Sequence, residues 1–135
     1  MAYIHMYTGA TGGGTDGTLV SENTGLAPIT TAVLNATNNE IGDPIKLALR
    51  CETGYNTSGN TTITPTGTSA AKWALAPDNA GSPGAFGSYG TALTISSTIN
   101  TTNQLFWARA KATSDETPVN DSSVDLVVSA TIIAV

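Results

Sequence analysis

Apolar side chains in this chain recur at every second position in short runs, and no segment sustains the i, i+3, i+4, i+7 spacing of a helix. Residues 45–53 (IKLALRCET) show the pattern most plainly. Ile45, Leu47, Leu49 and Cys51 fall on one side, and Lys46, Ala48, Arg50 and Glu52 on the other. A period of two with one apolar face is what a half-buried antiparallel strand requires. The same reading predicts strands at 2–8, 18–22, 29–37, 61–67, 72–77, 91–96, 103–114 and 124–135. Within 103–114 the face of Phe106, Ala108, Ala110 and Ala112 is expected to point inward, and Leu105, Trp107, Arg109 and Lys111 outward. Trp73 and Leu75 share one face of 72–77.

Between these runs lie clusters of turn formers: 9–17 (GATGGGTDG), Asp43-Pro44, 54–60 (GYNTSGN), 78–90 (DNAGSPGAFGSYG) and 114–123 (SDETPVNDSS). The glycine run at 9–17 reads as a flexible hairpin tip or hinge, because ordering glycine costs the most backbone entropy. From residue 29 onward about seven strands at short spacing predict an all-β, immunoglobulin-like antiparallel β-sandwich. Residues 1–28 form an N-terminal arm or hairpin, and 29–135 the sandwich domain. A lone two-stranded hairpin is barely stable in water, so the arm must pack on something. Its apolar residues Tyr3, Ile4, Met6, Tyr7, Leu19 and Val20 are the expected contact residues.

Charge narrows the functional classes. Only 11% of the residues are charged, against roughly 25% in an ordinary domain. Net charge is −5, the isoelectric point is about 4.4, and the five basic residues form no run. Nucleic acid and anionic membranes are therefore unexpected partners, since both need clustered Lys and Arg. The start, MAYIHMYTGATGGG, carries neither a basic region nor an apolar core of signal-peptide length, and no run reaches the ~18 apolar residues of a membrane span. The expectation is a chain made in the cytoplasm without leader or anchor. One cysteine excludes an internal disulfide.

Catalytic constellations do not assemble. His5 is the single histidine and reads as a half-exposed strand residue. Cys51 closes an apolar strand face and reads as a small buried hydrophobe. Asp115, Glu116, Asn120 and Asp121 offer hard oxygen ligands for Ca²⁺, but their spacing matches no EF-hand, and loops carry such residues in order to turn. Asp16 precedes Gly17 as a hairpin signal. The expectation is no enzyme, no cofactor and no metal. Trp73, Phe86, Tyr89 and Trp107 are candidate sugar-stacking rings. The tryptophans are weighted toward the core, and Phe86 and Tyr89 toward an exposed contact loop.

Several stretches carry a resemblance: 6–22 (MYTGATGGGTDGTLVSE), 63–67 (ITPTG), 72–78 (KWALAPD), 89–96 (YGTALTIS), 105–121 (LFWARAKATSDETPVND) and 124–135 (VDLVVSATIIAV). Through them the chain resembles a family of small proteins encoded in phages and prophages of Gram-positive bacteria. The resemblance implies a virion structural component, such as a capsid decoration or a tail or neck accessory. It also implies partners among other virion proteins and copies of the chain itself, in a homo-oligomer. It implies no catalytic residues. A carbohydrate-binding sandwich for surface glycans is the alternative expectation.

Overall fold

The computed structural model describes residues 3–20, 41–67, 70–111 and 125–135; among them there are strands and turns but no α-helix. The described strands are β1 (Ile4–Thr8), β2 (Thr18–Leu19), β3 (Ile45–Cys51), β4 (Tyr55–Thr66), β5 (Trp73–Asn79), β6 (Ser82–Pro83), β7 (Leu93–Ile95), β8 (Gln104–Ala110) and β9 (Asp125–Ala134). A 3-10 turn at Ala70–Lys72 leads into β5. The protein is all-β, with two antiparallel sheets ordered β2-β1-β3-β8-β5-β6 and β7-β4-β9.

A shared core joins the sheets. Ile4, Met6, Leu47, Leu49, Phe106 and Ala108 from the larger sheet meet Ile63, Ile95, Leu126 and Val128 from the smaller. The alternation in β3 and β8 is realised as expected: Phe106 and Ala108 are fully buried, and Ala110 nearly so. Alanines here let the opposite layer approach, since interiors pack at crystal-like density. Residues 97–103 close one end of the layers. Cys51 N–H donates to Asn100 O (2.7 Å), Thr57 N–H to Ile99 O (2.9 Å), and Ile99 N–H to Thr57 Oγ1 (2.8 Å), which seats Ile99 in the core.

Three sequence readings change. The stretch 54–60 is not a turn, because Tyr55–Thr66 is one strand of 12 residues. Its Asn-Ser-Gly chemistry instead serves a register shift between Ser58 and Thr62, where Gly59 takes φ 76°. The long loop expected at 78–90 is shorter, since β5 runs to Asn79 and turns directly into β6. The third change concerns the N-terminal residues. β1 lies between β2 and β3, in register from Ile4↔Cys51 to Thr8↔Leu47. Ile4, Met6 and Val20 are consequently core residues, 1%, 2% and 6% exposed, and are not available as contact residues. Alternation shows that a strand has an apolar face; here that face meets the chain's own smaller sheet.

The glycine run is also more ordered than a flexible tip. Gly13 N–H donates to Asn103 O (3.1 Å) and Asn103 N–H to Gly14 O (2.8 Å). Ala10 is buried with Ala48 and Leu105 on the outer side of the larger sheet, and Tyr7 packs against them. The strand expected at 29–37 and the boundary between 28 and 29 lie outside the described residues.

Candidate interaction surfaces

The outward side of the larger sheet gathers cations and aromatic rings. Strand pairing sets Arg50 beside His5, Lys46 beside Trp107, and Arg109 beside Ala74. The Arg50 guanidinium carbon lies 3.6 Å from the centroid of the Tyr7 ring, and that of Arg109 lies 4.2 Å from that of Phe86. Lys111 Nζ lies 4.3 Å from the centroid of the Tyr89 ring. Each such contact is worth about 0.5–1 kcal/mol at an exposed site. Phe86 and Tyr89 reach their cations because residues 84–90 run along β5: Gly84, Gly87 and Gly90 N–H donate to the carbonyls of Pro77, Leu75 and Trp73.

Asp78 anchors the neighbouring hairpin. Its Oδ1 accepts from Trp107 Nε1 (2.9 Å) and its Oδ2 from Gly81 N–H (3.3 Å). The Ala80-Gly81 turn between β5 and β6 has φ 52° and 90°, as in a two-residue type I′ hairpin. Alanine pays a steric penalty in that conformation, whereas asparagine tolerates it. Ala80→Asn is expected to raise folding stability by about 0.5–1 kcal/mol. Chemical denaturation checks this, and an unchanged or lower midpoint would contradict the turn assignment.

Asp16 is the centre of a second arrangement. Its carboxylate accepts from Thr11 N–H (2.9 Å), Thr11 Oγ1 (2.7 Å) and Asn103 Nδ2 (3.0 Å). Arg50 donates to the Asp16 carbonyl (2.6 Å) and to Asn103 Oδ1 (2.9 Å). The Thr11 donors chiefly hold the Asp16 carboxyl below its ordinary 3.8. A group with a depressed folded value stabilises the fold above its unfolded value and loses that contribution as pH falls through the folded one. Acidification below 3.8 is therefore expected to loosen the loop, seen as smaller hydrogen-exchange protection factors at Gly13 and Asn103 once the pH dependence of the intrinsic rate is divided out. Asp16→Asn should remove this pH dependence, and equal acid sensitivity in the variant would refute the assignment.

The outward side of the smaller sheet has a different character. Strand pairing places Asn56, Ser58, Thr62 and Thr64 on β4 beside Ile133, Thr131, Ser129 and Val127 on β9, with Thr94 of β7 next to Thr62. None of these side chains is charged. Val127 and Ile133 are 37% and 44% exposed, and Val135, just beyond β9, is 73% exposed.

The remaining candidates fall as follows. His5 Nε2 is 3.0 Å from Glu52 Oε1. Cys51 is buried; its Sγ faces Ile99 O at 3.5 Å, and burial raises its thiol pKa. Trp73 is in the core at 7% exposure, whereas Trp107 sits half-buried on the outer face. Tyr3 stacks on Tyr55 with centroids 4.4 Å apart, and Leu19 is exposed on the short edge strand β2. The Asp115–Asp121 group lies outside the described residues, and no cluster of metal-ligating side chains occurs among those described. Sequence reading missed the ring–cation pairs, whose partners are far apart in the chain; the alternation that put Arg109 and Lys111 outward was their one visible signal. No described helix is long and apolar enough to cross a membrane. No family model, curated protein or solved structure matches the chain.

Proposed function

We propose that this chain is a non-enzymatic structural module of a phage-type virion, built as an immunoglobulin-like sandwich and working through contacts between copies of itself and with other virion proteins. The observation that carries this reading is the stretch of the smaller sheet's outer side from Asn56↔Ile133 to Thr64↔Val127, where the paired positions of the long strands β4 and β9 hold no charged residue. Copies with net charge −5 repel one another, and the repulsion is least where a surface without charge meets its like. Exposed Val127, Ile133 and Val135 supply apolar area to such a contact. The virion assignment within this class rests on the sequence resemblance. For glycan binding the support is weaker: Trp73 is buried, and cations already cover one face of the Tyr7, Phe86 and Tyr89 rings.

Sedimentation over a range of concentrations tests the proposal. The native chain is expected to form a defined oligomer, and Val127→Lys with Ile133→Lys a folded monomer. Like charges brought together across an interface cost several kcal/mol. A native chain that stays monomeric at every concentration, or a double variant that assembles normally, would count against this surface.

A further inference from the structure

We propose that the outer face of the larger sheet carries a binding site for an oxyanionic group, a phosphate or a carboxylate, at Arg109 and Lys111. Arg109 and Lys111 are two of the five basic residues in a chain of net charge −5, and the backbone of a third, Lys72, lies against that of Lys111. Arg109 and Lys111 are two positions apart on the outward side at the end of β8, and Lys111 N–H donates to the Lys72 carbonyl (2.9 Å). Such a concentration runs against the charge of the whole molecule.

Arg50 shows what a purely structural cation looks like in this fold. It lies over Tyr7 and also spends its donors on Asp16 O and Asn103 Oδ1. Arg109 and Lys111 lie over Phe86 and Tyr89 in the same manner, yet neither side chain hydrogen-bonds or ion-pairs with a described residue. Moreover, Arg109 Nε and the Tyr89 hydroxyl are buried with no hydrogen-bond partner. Buried donors are nearly always satisfied, so an unpartnered donor on Arg109 and another on the ring under Lys111 point to an acceptor that arrives from outside.

The chemistry selects the ligand class. A guanidinium presents parallel donors that match two oxygens of a carboxylate or phosphate, and an ammonium adds a point charge. The rings hold both head groups in place before binding, which reduces the rotamer entropy lost on association. So few cations suit one oxyanion, and not the many successive phosphates of a nucleic acid. The site does not depend on whether copies of the chain associate.

Amide NMR spectra of the full chain test the proposal, with chloride replaced stepwise by inorganic phosphate at constant ionic strength, and by acetate in parallel. Saturable shifts confined to Phe86–Tyr89 and Arg109–Lys111 are expected. Stronger binding of phosphate would assign the site to phosphate groups, and stronger binding of acetate to carboxylates such as those of a protein partner. Arg109→Gln, and separately Lys111→Gln, should weaken binding about tenfold or more, the loss of one charge-assisted contact. Lys46→Gln, elsewhere on the same face, should leave it unchanged. Shifts that never saturate with either anion would overturn the site, as would Arg109 and Lys111 variants that bind like the native chain.

Discussion

Phe106→Ala is expected to lower folding stability by about 3–5 kcal/mol, the range for removing a buried aromatic ring. Phe106 is fully buried at the centre of the larger sheet, paired with Leu47 of β3 on one side and Pro77 of β5 on the other. Toward the end of β8 its neighbours on the inward side are Ala108 and Ala110, which have no spare side-chain atoms to move into the void. The cavity should therefore stay largely open, placing the cost toward the upper part of the range. For a chain of this length the thermal midpoint should fall by roughly 10–20 °C. Phe106→Leu keeps most of the volume and should cost markedly less. Guanidinium unfolding monitored by tryptophan fluorescence measures both variants; a loss below about 1 kcal/mol for alanine would mean that this face of β8 is not the inner one.

Gly17→Ala is expected to cost about 2–4 kcal/mol by a different mechanism. Gly17 has φ +110°, a region that side-chain-bearing residues rarely enter. An added Cβ would stand 2.9 Å from Tyr7 Cβ, 3.0 Å from Ala10 Cβ and 3.1 Å from Thr8 O. All three are rigid atoms, two of the strand that leads into the loop and one of the buried alanine that seats it, so none can rotate away. Relief comes from lifting residues 9–17 off Ala48 and Leu105, which would also part Asp16 from Asn103. Hydrogen exchange separates the local event from the global one. Gly13, Gly14 and Asn103 amides should lose protection first, whereas Phe106 and Leu49 should change only by the overall loss of stability. Native-like protection at Gly13 in the variant would show that the loop is not held as described.

Strand positions were largely legible because alternation is a local property. Ile45 to Cys51 and Gln104 to Ala110 have one apolar side whatever the rest of the chain does, and both strands lie where that pattern puts them. Residues 54–60 were not legible in the same way. Asn, Ser and Gly serve a turn and a bulge equally well, and the choice depends on β9, which pairs with Tyr55–Ser58 and again with Thr62–Thr66. The N-terminal residues illustrate the same limit. Their alternation is compatible with an arm seeking a partner molecule, but only pairing with β3 shows that Ile4 and Met6 are inside.

The candidate sites divide along the same line. Alternation was enough to set Arg109 and Lys111 on an outward face. The rings of Phe86 and Tyr89 come to them only because residues 84–90 bond to the edge of β5, which in turn pairs with β8. The sequence by itself determined the strand-forming character of the chain, the polarity of each strand's two sides and its shortage of charge. Tertiary structure decided which strands became neighbours, and so which apolar faces were buried and which cations gained rings. The reason is physical: side-chain periodicity is written into a few consecutive residues, whereas strand order is set by the free energy of closing two whole layers on one core.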